Sequence, residues 1–248
     1  MINKYINLCI FFSYNGKPFN GSQYQLNQRT VHGDISFKLK EYFSDFNNLS
    51  FSSRTDKGVS ADEQYLGFKA FINKKKEIFS KFNKMKENIS NDISLLNISF
   101  MPNNFNVRRD VEKRIYEYEI NNKLLISKIN LDQMLQCSNK FIGIHNFMSF
   151  AGKNAKENFI REIYDVSIKK NNSSIVFNIS GKSFIHQQVR RMIFTLLRVG
   201  LSKESHYWID KLLEAPIKGS CKGLVNSENL TLKKVLYQKK HQKLLEKV

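Results

Sequence analysis

Two apolar rhythms share this chain, and their order along it narrows what it can fold into. Val31, Ile35, Leu39 and Phe43 recur at every fourth residue, which predicts a helix over 30–43. Ile78, Phe79, Phe82 and Met85 line one face of a Lys-rich helix at 74–88, and Val189, Met192, Ile193, Leu196 and Leu197 that of a helix at 184–200. Shorter helices are predicted at 131–142 and 205–214. Stretches rich in Phe, Ile and Tyr read as strands at 5–14, 49–53, 64–71, 93–100, 112–121, 160–169, 174–181 and 230–237. Strands and helices mix without regular βαβ alternation, so the expected class is α+β with a central, mainly antiparallel sheet flanked by helices. Two halves, 1–110 and 111–248, each hold both kinds of element, and no repeat is visible between them.

Charge limits the partners. Forty Lys and Arg against 22 Asp and Glu leave a formal +18, an excess that favours a polyanion, either nucleic acid or an anionic membrane surface. Twenty Phe and 10 Tyr beside that charge suit RNA, whose unpaired bases stack on flat side chains. A compositional bias of the genome accounts for much Asn and Ile, but not for the shortage of acids. No membrane role is expected: no apolar run is long enough to span a bilayer, and nothing signals lipidation. Asn7 interrupts the apolar stretch Tyr5–Phe12, and Tyr14-Asn15-Gly16 follows as a turn. A first strand is therefore expected rather than a secretory leader. Cys9, Cys137 and Cys221 are odd in number, widely spaced and free of any C-x-x-C, so a reduced, intracellular chain is expected.

One loop stands out chemically. Arg54-Thr55-Asp56-Lys57-Gly58 lies between two predicted strands and sets one acid between two cations. Asp followed two residues later by Gly is, taken alone, an ordinary turn. Flanking cations favour an ionised carboxylate. Such a group suits a nucleophile or general base, or a structural ion pair.

Phe51-Ser52-Ser53-Arg54-Thr55-Asp56-Lys57-Gly58-Val59-Ser60-Ala61 closely resembles the signature of the TruA-type tRNA pseudouridine synthases, its ending being similar to the eukaryotic members. The resemblance continues in order along the chain. Tyr14-Asn15-Gly16 and Gly21-Ser22-Gln23 are similar to the family's opening strand and turn, Thr30-Val31-His32-Gly33-Asp34 to its first helix start, and Gln64 to the strand after the loop. Pro102, Phe105 and Arg108 resemble the close of its first half. Lys113-Arg114-Ile115-Tyr116-Glu117-Tyr118 resembles its basic-x-Tyr-x-Tyr strand, and Gly143–Phe150 and Arg161-Glu162-Ile163 its next motifs. Gly181–Ile193, with Arg190, resembles the last major one. Three places depart: no aromatic precedes Gln23, His186-Gln187 follows neither common form, and Val225–Asn229 lengthens the path to the final strand.

The resemblance implies a pseudouridine synthase fold with two pseudo-related halves around a basic cleft, and isomerisation of uridine in the anticodon arm of tRNA. It implies that Asp56 is the catalytic aspartate and that Arg54 engages RNA and helps expel the base. Tyr116 would stack on the flipped uracil, and Arg190 would pair with Asp56. No metal or organic cofactor is implied. Other structured RNAs are further candidate substrates, bacterial members imply a homodimer, and eukaryotic ones imply nucleus or cytoplasm.

From the residues alone, Tyr116 reads as a core residue of a sheet and Arg190 as a helix residue of undecided face. His145 and His186 read as structural, and the Lys-rich stretches 74–86 and 233–243 as solvated faces that add sequence-blind RNA affinity. Two other functions compete. One is a non-catalytic RNA-binding or tRNA-folding protein on the same fold, for which Asp56 would be dispensable. The other is a metal-dependent nuclease using Asp56, Asp62 and Glu63.

Overall fold

Leu8, Cys9 and Ile10 are consecutive in β1 (Lys4–Tyr14) and Phe12 lies two residues on, and all four are buried. A strand buried on both faces has to sit inside a sheet. The computed structural model, which describes residues 4–245 apart from 73, 154, 157 and 172, places it there. β3 (Ser60–Ile72) pairs antiparallel along one edge of β1 and β4 (Ile93–Phe100) along the other. β2 (Phe46–Phe51) lies antiparallel to the distal part of β3, with Phe51 opposite Leu66. α1 (Val31–Tyr42) and α2 (Glu77–Asn88) pack against each other. Val31, Ile35, Leu39 and Phe43 are all buried, as their spacing predicts, and Thr30 caps the helix by accepting the Gly33 N–H on its hydroxyl. On α2, Ile78, Phe82 and Met85 face inward while Phe79 is exposed.

The chain divides into two compact units. The first runs up to Glu112 and takes in the stretch from Leu232 on, and the second is Lys113–Thr231. The C-terminal stretch thus leaves the second half drawn at 111–248. The cause is local packing: β9 (Leu230–Tyr237) lies beside β3, and Leu232, Val235 and Tyr237 are buried. The Tyr237 hydroxyl donates to the Val107 carbonyl at 2.6 Å. α7 (Lys239–Leu245) follows, with His241 edge-on to Phe105 and Leu245 buried.

In the second unit β5 (Val111–Ile120) pairs antiparallel with β8 (Ile175–Gly181), β8 with β7 (Ile160–Lys170), and β7 with β6 (Gly143–Asn146). Even-numbered residues of β5 from Arg114 to Ile120 turn inward, so both tyrosines are buried on one face. The helices are α3 (Lys123–Ile126), α4 (Leu131–Ser138), α5 (Gln188–Gly200) and α6 (Tyr207–Glu214). α5 starts four residues later than its apolar period suggests. Gln187 adopts a left-handed conformation (φ 65°), and the Gln188 side chain accepts the Ile185 N–H at 2.9 Å, so 185–188 forms a turn. The class is α+β with mainly antiparallel sheets and flanking helices, as predicted. Among the described residues no helix is long and apolar enough to cross a membrane.

Candidate active site

The loop Arg54–Gly58 is framed by β2 and β3, but the segment after β1 sets its shape. Thr55 is buried, and each of its polar groups is engaged. Its N–H donates to Ser22 Oγ at 2.9 Å, and its carbonyl accepts the Ser22 N–H at 3.1 Å. Its hydroxyl shares a 2.7 Å hydrogen bond with Tyr14 Oη. Downstream, the Asp56 carbonyl accepts the Val59 N–H at 3.2 Å and the Gly58 N–H donates to the Phe19 carbonyl at 3.2 Å. Upstream, the Gln64 amide ties Ser53 and Ser52 to β3.

Asp56 itself is half-buried, while Arg54 and Lys57 on either side are exposed. A carboxylate so placed is reachable by a ligand, and both neighbouring cations are free to lie along a phosphate backbone. Gly21 makes the close approach feasible: its φ is +99°, and an added Cβ would stand 3.1 Å from the Thr55 carbonyl oxygen. The start of α1 joins the same assembly, because the His32 N–H donates to the Ser22 carbonyl at 3.0 Å. Burial holds the His32 imidazole below its usual range.

Asp62 and Glu63 are committed elsewhere. They lie in β3, which begins at Ser60 rather than 64. Asp62 pairs with Lys233 at 2.5 Å, and Glu63 accepts the Val235 N–H at 3.4 Å. Cross-strand partners of this kind let acids sit in a strand. Among the described residues no group of three or more His, Cys, Asp or Glu is arranged to hold a metal.

The other two expected site residues belong to the second unit. Tyr116 on β5 lies opposite Ile179 and meets Phe184 edge-on, ring centres 5.3 Å apart. Arg190 on α5 is half-buried, and its Nε donates to the Val225 carbonyl at 2.9 Å. Burial pushes the Tyr118 phenol up, partly offset by the Arg190 charge and an Asn226 backbone hydrogen bond. Arg54 and Asp56 thus share a loop of the first unit, and Tyr116 and Arg190 share the second. His145 sits half-buried in β6 with a ring nitrogen 3.0 Å from the Ile142 carbonyl, and His186 is an exposed turn residue. Sequence reading assigned no role to Tyr14, Ser22 or Gln64. For Tyr14 and Ser22 the available signal was a polar side chain near the glycines Gly16 and Gly21.

The family model described as tRNA pseudouridine synthase matches residues 138–238. The tRNA pseudouridine synthase A of Thermosipho melanesiensis is 33% identical over 243 residues, covering 92% of this chain and 98% of that protein. The chain belongs to the tRNA pseudouridine synthase A family. Relatives of the same name in Borrelia garinii and Thermotoga petrophila are 28% and 29% identical, over 91% and 90% of this chain and 97% and 96% of their own. A match over 92% of this chain necessarily takes in the Asp56 loop, which lies outside the stretch the family model matches.

Proposed function

We propose that this tRNA pseudouridine synthase isomerises uridine in the anticodon arm of tRNA, with Asp56 as its catalytic carboxylate. The observation that carries the reading is the Asp56 loop. A half-buried acid is held on a backbone tied at both ends and flanked by two exposed cations.

The chemistry asks for little else. The C1′–N1 bond of uridine breaks, the uracil turns, and a C1′–C5 bond forms. The proton on C5 leaves and N1 takes one up, so reactant and product are isomers and no oxidant or water is consumed. A carboxylate serves this sequence as nucleophile, as base or as stabiliser of positive charge on the ribose. A stacked base is out of reach, so it must be flipped at a cost of a few kcal/mol. In this reading Arg54 binds the RNA backbone and offsets that cost, and the Tyr116 ring holds the detached uracil. Arg190 joins them as a further substrate-binding residue. The formal +18 supports affinity for tRNA and for other structured RNAs. The same reading has the chain working as a homodimer, which sedimentation equilibrium measures.

The test is to map pseudouridines in unmodified tRNA incubated with wild type and with Asp56→Ala. Wild type is expected to modify anticodon-arm uridines, and Asp56→Ala to modify none while still binding tRNA. Equal activity of the two would remove Asp56 from the chemistry, and a wild type that modifies no tRNA would leave RNA binding or folding as the function.

A further inference from the structure

We propose that Tyr14 and Ser22 are positioning residues, which fix the Asp56 carboxylate through Thr55. The proposal rests on Asp56 being the catalytic group.

Three observations carry it. First, Thr55 precedes Asp56 directly, and its N–H, carbonyl and hydroxyl all go to these two residues, at 2.9, 3.1 and 2.7 Å. The Thr55 N–H belongs to the peptide plane before the residue and its carbonyl to the plane leading into Asp56; with both planes held, neither has much freedom to rotate, so the direction in which the Asp56 side chain leaves the backbone is set from outside the loop. Second, both partners stand on firmer ground than the loop does. Ser22 is fully buried and Tyr14 is 5% exposed at the end of β1, its ring stacked on Phe12 and edge-on to Phe19. Third, the approach is close: at Gly21 the backbone is left-handed (φ +99°), and an added Cβ would stand 3.1 Å from the Thr55 carbonyl oxygen. By contrast, Arg54 and Lys57 are exposed. The packing therefore fixes the acid and leaves its cationic neighbours free to follow RNA.

A reacting group displaced by an ångström loses rate rather than substrate affinity. Steady-state kinetics on tRNA carrying tritium at uridine C5 read this directly, because that hydrogen is released during the reaction. Tyr14→Phe and Ser22→Ala are each expected to lower kcat about tenfold or more, with KM and tRNA affinity within about twofold of wild type. Thr55→Val, which removes the hydroxyl, should fall with Tyr14→Phe, while Thr55→Ser, which keeps it, should retain near-wild-type kcat. The Thr55 pair carries the test should Tyr14→Phe unfold. Unchanged kcat in Tyr14→Phe and Thr55→Val overturns the proposal, and so does a loss confined to KM. Activity surviving in Asp56→Ala is a separate result, which removes Asp56 from the chemistry and leaves nothing for the clamp to position.

Discussion

The side-chain amide of Gln64 brackets Ser53: its carbonyl oxygen accepts the Ser53 N–H at 3.2 Å, and its NH2 donates to the Ser53 carbonyl at 3.0 Å. The same oxygen takes the Ser52 hydroxyl at 2.5 Å. One fully buried side chain on β3 thereby does the work of strand pairing where β2 has already ended.

Gln64→Met keeps the bulk of that side chain and removes its polar atoms. Buried groups on Ser52 and Ser53 then lose the hydrogen bonds it made, at a cost of about 1–3 kcal/mol. Urea unfolding of the variant should show that loss. Turnover at low denaturant should also fall, because the segment leading into Arg54 and Asp56 is no longer anchored.

Gly16→Ala is expected to be worse tolerated. An added Cβ would lie 2.1 Å from the Val59 carbonyl oxygen, backbone that cannot swing aside as a side chain can. Relieving such overlap typically costs about 1–3 kcal/mol, and here it pushes the loop away from the β1 turn. A lowered melting temperature together with lost activity is expected, and a variant with wild-type values for both would refute the close approach.

Tyr237→Phe tests the return of the C-terminal stretch to the first unit. It deletes only the hydroxyl that donates to Val107, leaving the ring against Tyr65 and Phe105. A loss of about 1 kcal/mol is expected, with an unpaired Val107 carbonyl raising it. Hydrogen exchange should report faster opening of β9 and α7.

His32 links stability to pH. Its imidazole is held low by burial in the fold and titrates near its ordinary value of about 6.5 when unfolded. Between those two values the unfolded chain binds a proton that the folded chain refuses. Its contribution to folding is thus fully present above about pH 6.5 and declines as pH falls through that window. His32→Gln should flatten the acid side of the melting temperature profile. An unchanged slope between about pH 7 and pH 5 would count against burial as the cause.

Where periodicity reflects a single buried face, the chain's own order predicted the structure closely. α1 and β4 lie within a residue of their expected limits, and the antiparallel class followed from the absence of βαβ alternation. Misses occurred where a tertiary partner overrode local pattern. Phe184 and Ile185 extend the apolar rhythm of α5, but the turn at Gln187 keeps them outside it. The stretch 233–243 reads as solvated by its lysines. Lys234, Lys239, Lys240 and Lys243 are indeed exposed and the expected strand forms as β9, but α7 was not foreseen, its inward face being only His241 and Leu245. β6 and α3 are four residues each, too short for a period to show.

Acid–cation order, loop position and likeness along the whole chain were enough to single out Asp56 and its family, since these are properties of residues in a row. What holds Asp56 was decided only on folding. Ser22 and Tyr14 stand 33 and 41 positions from Thr55, and no local pattern states which distant hydroxyl will meet which peptide group. That pairing depends on strand register and on the space Gly16 and Gly21 leave open, quantities that exist only once β1 and β3 lie side by side.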